Sequence, residues 1–361
     1  MSTVDIIVPC YNYARYLRGC VASILGQRDV SVRVLILDDA STDNTAEVGL
    51  ELATGDPRVE FRSHRTNQGH IATYNEGLLG WAAAEYSMLL SADDALAPGA
   101  LARAVRLLND HPEVGMACGM ARVVDDATAF EPTDDDASGS HYIMSGPAFL
   151  EHCCEFANPV ATPTAVVRTA LQQRLGGYRP SLPHSGDMEM WMRFATQSSV
   201  GILRAVQAYY RWHGRNMGAS YYEAMLGDLK EQRDACDEGL TRWGSHGSDA
   251  NRLRGLVARR IGEQAFWMAS KAFDASDDDK SRVCLRFAEQ QYPQLKRSHK
   301  WWRFQAKRFV GRSIWRRVEP IVHGNRGASV APVPAQSANF QIGGLTGWWP
   351  RGGAVTRDAL R

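Results

Sequence analysis

No stretch of this 361-residue chain stays apolar for long. No run approaches the roughly 18 residues that a membrane-spanning helix needs, which argues against an integral membrane protein. A secretory signal is not expected either, because Asp5 interrupts the short apolar run near the N-terminus. Cysteine is unpatterned. Cys10, Cys20, Cys118, Cys153, Cys154, Cys236 and Cys284 are odd in number, irregularly spaced and without a CxxC. A disulfide scaffold or zinc site is therefore not expected, and a reducing, cytoplasmic setting fits. The vicinal pair Cys153-Cys154 reads as two small buried side chains. Also missing are a GxGxxG and a Walker A lysine, which disfavours a dinucleotide oxidoreductase and a P-loop NTPase. Net charge is nearly absent, at +1, but it hides an asymmetry. Residues 281–361 carry 15 Lys+Arg against 3 Asp+Glu, a net of +12, so the rest of the chain stands at −11. That split suggests an acidic or neutral body with a basic tail that meets a polyanion.

What is present is an alternation of strands and helices over the first 125 residues. Residues 5–9 read as a strand, 14–27 as a helix with Leu17, Val21, Ile24 and Leu25 on one face, and 32–37 as a buried parallel strand. Ser41-Thr42-Asp43 brings N-cap chemistry to a second helix. Further strands are expected at 59–61, 86–90 and 114–124. Helices are expected at 70–83 and 98–110, with Pro98 in the first helical position. Such an order implies an α/β fold with a doubly wound, mostly parallel sheet. Residues 125–141 read as an acidic loop and 164–167 as a strand. Residues 186–197 read as a helix and 200–213 as a strand pair. From about 222 to 322 the pattern is helical. Gly, Ala, Pro and Ser dominate beyond 323, where disorder is expected.

Ligands bind doubly wound sheets outside the carboxyl ends of the strands. The polar clusters Tyr11-Asn12, Asp38-Asp39 and Asp93-Asp94 all fall at such ends. Two adjacent carboxylates suit a hard divalent cation completed by water and substrate phosphates. The other reading is an acidic pair complementing a helix dipole. A carboxylate at 38–39 could accept the N3–H of a uracil or hold a ribose hydroxyl. A nucleoside diphosphate held by metal without a glycine loop suggests a nucleotide-sugar enzyme.

The order Ile7-Val8-Pro9-Cys10-Tyr11-Asn12, Asp38-Asp39-Ala40-Ser41-Thr42-Asp43, Asn67-Gln68-Gly69 and Ser91-Ala92-Asp93-Asp94 resembles the family 2 glycosyltransferases of GT-A fold, over about residues 3–215. The resemblance implies that Pro9, Tyr11 and Asp39 line a nucleotide-base pocket supported by Asp38. It implies that Asp93 and Asp94 form a degenerate DxD touching ribose and metal, with Ser91 where an Asp often stands. Asn67, Gly69 and Asn75 would shape the donor pocket, and Tyr74 replaces an arginine often found there. Gly186-Asp187-Met188-Glu189-Met190-Trp191 resembles the family's Glu-Asp-x-x-x-Trp stretch, with Asp187 as catalytic base and Gly186 in place of Glu. On a helix, Asp187, Met190 and Trp191 share a face, which can set the carboxylate beside an aromatic wall. Apart from the resemblance, Asp187 could equally be an N-cap. Tyr210-Arg211-Trp212-His213 resembles the family's Tyr-Arg-x-His segment and makes His213 a metal ligand or diphosphate donor.

The expected function is metal-dependent (Mn or Mg), inverting transfer of a sugar from a nucleotide-diphosphate sugar to the hydroxyl of a glycan or lipid-linked acceptor. It would serve bacterial-type surface glycan synthesis. A nucleotidyltransferase would want a Gly-rich, Lys/Arg-bearing segment after the first strand, where Tyr11-Asn12-Tyr13 stands. An inactive binding module would have no need of Asp187 together with Asp93-Asp94. Three segments are expected: a catalytic domain over 1–220, a helical extension over 221–322 and a tail over 323–361. Residues 294–317 hold nine Lys+Arg, no acid, and Trp301, Trp302, Phe304, Phe309 and Trp315. This stretch to 319 suits an anionic membrane surface or the protein's own acidic body, rather than nucleic acid.

Overall fold

The computed structural model describes residues 1–126, 140–213, 216, 225–243, 247–315 and 343–347. Most of the acidic loop, most of the tail, and Arg316, Arg317 and Val318 lie outside the described residues.

Strands β1 (Thr3–Cys10), β2 (Ser31–Asp38), β3 (Val59–Ser63) and β4 (Tyr86–Leu89) run parallel in the order β3-β2-β1-β4. The sheet continues through β8 (Val166–Arg168), β6 (Val114–Val124) and β9 (Ser199–Arg211) to the short β5 (Ala95–Leu96). The long pairings are parallel, and the antiparallel ones through β8, β5 and β7 (His141–Met144) are short. Strand alternation feeds two cores. Ile7, Leu35 and Leu37 face one layer, and Ile6, Val8, Val34 and Ile36 the other. The second layer takes α1 (Ala14–Leu25) and α4 (Ala100–Asp110). Asp5 is fully buried in β1, and its charge is matched. Arg33 binds it in a two-pronged pair at 2.8 and 2.6 Å, and the Ala83 and Ala84 N–H groups donate to it.

The first layer is shared with the C-terminal helices α8 (Met225–Trp243), α9 (Gly247–Asp274) and α10 (Asp278–Gln291). Cys236, Ile261, Phe287 and Phe304 belong to one apolar cluster with Ile7 and Leu35. Helix α11 (His299–Val310) follows, with Ser298 capping it through the Trp301 N–H. All seven cysteines are buried and unbridged, Cys153-Cys154 among them. No helix of the described residues is long and apolar enough to cross a membrane.

Several expectations are corrected. The helix from residue 70 is α-helical only over His70–Asn75 (α3) and continues as a π-turn over Glu76–Trp81. Pro98 is not the first helical residue, because Gly99 takes a left-handed φ of 70° and the helix starts at Ala100. Residues 200–213 hold one long strand, not a pair. Shifts of register opposite Gly119 and Met120 take up the irregularity that reads as a turn. Residues 343–347 depart from expected disorder: Leu345–Thr346 (β10) pairs with Arg122 and Ala121 at the edge of β6.

Candidate active site

A cavity of about 720 Å³ opens at the carboxyl ends of β1, β2 and β4. Pro9, Tyr11, Asp39, Asn67, Gly69, Asp93, Asp94 and Asp187 all line it, drawn together from segments far apart in the chain. Asp38, Asn75 and His213 do not line it and act from behind.

The end of the cavity beside β1 and β2 is built by three interlocked turns. Asn12 Oδ1 accepts the N–H of Thr42 at 2.7 Å, and Asp43 Oδ2 accepts the N–H of Ala14 at 3.1 Å, so the turns after β1 and β2 hold each other. Asp38 is buried, with Oδ1 on the Ser41 N–H at 3.0 Å and Oδ2 on Ser63 Oγ at 3.0 Å. It shapes the turn, as a supporting residue would. Asp39 accepts the N–H of Gln68 at 2.8 Å and of Gly69 at 2.9 Å, and meets His64 Nδ1 at 2.7 Å. Burial opposes its ionisation, but these three donors hold its carboxyl below the usual carboxylate range. The φ of 84° at Gly69 lets that N–H turn toward Asp39. His64 Nε2 meets Glu76 Oε2 at 2.9 Å. Burial works against the imidazolium, yet two flanking carboxylates raise its pKa. Sequence reasoning missed His64, since a lone histidine after a strand carries no signal. Asn75 receives the Tyr178 N–H at 2.6 Å and donates to the Tyr178 carbonyl at 2.8 Å. It thereby fixes an aromatic wall, in which Tyr74 and Tyr178 meet edge to face.

At the end of β4, Asp93 and Asp94 are 5% and 4% exposed. His213 Nε2 lies 3.1 Å from Asp93 Oδ2, and His213 stacks on Tyr16. Asp94 Oδ1 accepts the Arg211 N–H at 2.9 Å. Burial, then the charge of Asp93, pushes the Asp94 carboxyl well up, and the Arg211 N–H offsets this only partly. Arg211 offers its guanidinium to backbone carbonyls, the Nε to that of Asp93. No Lys or Arg lines the cavity among the described residues. Two buried carboxylates without a cationic lining are a hard-oxygen donor set that fits Mn or Mg. Among the described residues no three His, Cys, Asp or Glu side chains converge as a ready metal cage. Of the expected trio Asp93, Asp94 and His213, the imidazole of His213 is turned onto Asp93.

Asp187 stands in the first turn of α7 (Gly186–Ala195), and Ser185 occupies the N-cap position. Its Oδ2 accepts from Asn158 Nδ2 at 2.9 Å and Thr162 Oγ1 at 2.8 Å, and its Oδ1 from the Met188 N–H at 2.6 Å. Burial raises its pKa against the pull of Thr162 and Met188. It keeps an edge on the cavity, where a proton could arrive. The expected aromatic neighbour Trp191 is instead buried behind Tyr178, at 6.5 Å between ring centroids. Asn158 and Thr162 escaped notice because they come from a Pro-containing turn unrelated in sequence to α7.

The profile described as glycosyl transferase family 2 matches residues 5–165. An uncharacterized glycosyltransferase of Haemophilus influenzae is 25% identical over 228 residues, covering 60% of this chain and 68% of that protein. Crystallised residues 1–349 of S. aureus TarS, in complex with UDP-GlcNAc, superpose with a TM-score of 0.52 at 17% identity, over 80% of this chain and 92% of that one. The Pyrobaculum calidifontis mannosyltransferase PcManGT, in complex with GDP-Man and Mn2+, gives a TM-score of 0.51 at 16% identity, over 90% and 81% of the two chains. Motif order, cavity and fold thus agree: residues 5–165 are similar to the family 2 glycosyltransferases, and the fold is that of a GT-A glycosyltransferase scaffold.

Proposed function

We propose that the enzyme transfers a sugar from a nucleotide-diphosphate sugar, with UDP as the carrier, to an acceptor hydroxyl with inversion. The single observation that carries this is the cavity itself. Asp39, Asp93, Asp94 and Asp187 line one space at the strand ends, with no Lys or Arg among the described lining residues. A diphosphate can enter such a space only with a cation. Asp93 and Asp94 would hold Mn or Mg, which when bound neutralises the charge of the leaving diphosphate. Asp39, kept ionised, accepts the N3–H of uracil, and Tyr11 and Pro9 flank the base. Asp187 takes the proton of the acceptor hydroxyl as that oxygen attacks the anomeric carbon from the face opposite the diphosphate. One base and one displacement give inversion. The acceptor is a glycan or lipid-linked glycan, reached at the cytoplasmic face of a membrane in surface-polysaccharide synthesis.

The test is a panel of nucleotide sugars assayed for release of nucleoside diphosphate with Mn, Mg or EDTA. A UDP-sugar should be consumed with Mn and spared with EDTA. Asp187→Asn should lower turnover by roughly 10²-fold or more while calorimetry still shows UDP binding. Release that is indifferent to EDTA, or equal in wild type and variant, would refute the reading.

A further inference from the structure

Part of the cavity wall beyond Asp187 comes from outside residues 5–165, the stretch that matches the family model. Helix α8 presents Asp228 and Gln232 to the cavity beside His184, Asn158 and Thr162. His184, Asp228 and Gln232 form a connected set. His184 Nδ1 meets Asp228 Oδ1 at 2.6 Å, and Gln232 Nε2 donates to Asp228 Oδ2 at 2.9 Å. Gln232 Oε1 accepts from the buried Arg260 at 2.6 Å, which fixes the orientation of the amide. Glu231 Oε2 accepts the N–H groups of His184 at 2.9 Å and Ser185 at 3.2 Å. Helix α8 therefore holds the turn from which Asp187 projects and also walls the space in front of it.

The chemistry of that wall selects its occupant. Asp187 and Asp228 bring two carboxylates to the cavity; His184 is already turned onto Asp228, and Arg260 lies behind Gln232 and does not line the cavity. An acceptor carrying phosphate, sulfate or carboxylate at this point would meet negative charge with no arginine or lysine among the described lining residues to answer it. A neutral sugar fits better. Each Asp228 oxygen has two lone pairs and spends one inside the set, so the carboxylate can still accept from hydroxyls. We infer that α8 and His184 form the acceptor subsite and that it takes a neutral, hydroxylated sugar, with Asp228 accepting from a hydroxyl beside the one Asp187 deprotonates. This rests on the transferase reading above.

Ligand-observed NMR tests it on the full chain with UDP and Mn present. The probes are methyl glycosides of glucose, galactose, mannose and N-acetylglucosamine, set against methyl glucuronide and glucose 6-phosphate. At least one neutral glycoside should show saturation transfer and the anionic probes none. Asp228→Ala and, separately, Gln232→Ala should weaken that signal by about tenfold, with UDP affinity as in the wild type. Rescue of the weakened signal in Asp228→Asn, which keeps an accepting oxygen, would support direct contact. Equal binding of anionic and neutral probes, no neutral binder, or unchanged affinity in both alanine variants would overturn the inference. Glycoside binding without nucleoside diphosphate release from any nucleotide sugar would support the subsite and sink the transferase reading.

Discussion

At the scale of single residues, the charge state of Asp187, the proposed base, is set by burial and by its hydrogen-bond donors. A carboxylate in the first turn of a helix, sheltered from water, resists ionising, and the Thr162 hydroxyl opposes that resistance. A general base works only when deprotonated, so activity should rise with pH through the Asp187 pKa, on a limb displaced above the ordinary carboxylate range. Thr162→Val removes a donor to the charged form and keeps the shape. The acidic limb should then move to higher pH while the plateau rate stays within a few-fold of wild type. A pH profile of kcat decides this, and a limb that stays in place would free Thr162 from the role. Asp39 shows the opposite balance: three donors outweigh burial and keep it charged. The two aspartates look alike in the sequence. Their roles separate only through neighbours contributed by Gln68, Gly69 and His64 in one case and by Thr162 and Met188 in the other.

At the scale of elements, α11 carries the basic aromatic segment. The sequence leaves its faces unsorted, and the structure sorts them. Phe304 turns inward against Phe266 and Phe273, while Trp302 and Phe309, seven residues apart, are 63% and 92% exposed. Lys296, Lys307 and Arg312 pair with Glu289, Asp274 and Asp278 of α9 and α10. For these three the protein's own acids, from outside the segment, supply the anionic partner. The outward stripe of Trp302, Ala306 and Phe309, with Lys300, Arg303 and Arg308 on the same helix, suits an anionic bilayer. The protein should float with vesicles containing phosphatidylserine at low salt. Trp302→Ser with Phe309→Ser should lower that partition by about tenfold or more. A wild-type protein that ignores such vesicles at low salt ends the membrane reading.

At the scale of the whole molecule, the helical extension and the sheet share one apolar cluster, from Ile7 and Leu35 to Phe287 and Phe304. Cooperativity should follow. Urea unfolding should show one transition, and Phe304→Ala should destabilise the entire protein by about 3–5 kcal/mol. Two separate transitions, with only one shifted by the variant, would show an independently folding extension. Deleting the chain from residue 294 is accordingly a poor probe of membrane contact, since it removes Leu295 and Phe304 from the common core.

The sequence by itself determined the succession of strands and helices in the first half, the strand-end positions of Asp39, Asp93 and Asp94, and the candidacy of Asp187. Period-two apolar runs and short polar turns are local signals, and local signals survive in one dimension. Only the tertiary structure decided which groups surround those aspartates. Asn158 and Thr162 reach Asp187 across some 25 to 30 positions, and Asp228 reaches His184 across 44. The sequence showed neither that Trp191 hides behind Tyr178 nor that His213 rests on Asp93. Such contacts depend on how helices from distant segments pack on the sheet. Burial and hydrogen bonding, which set the charge of each carboxylate, exist only once that packing is complete.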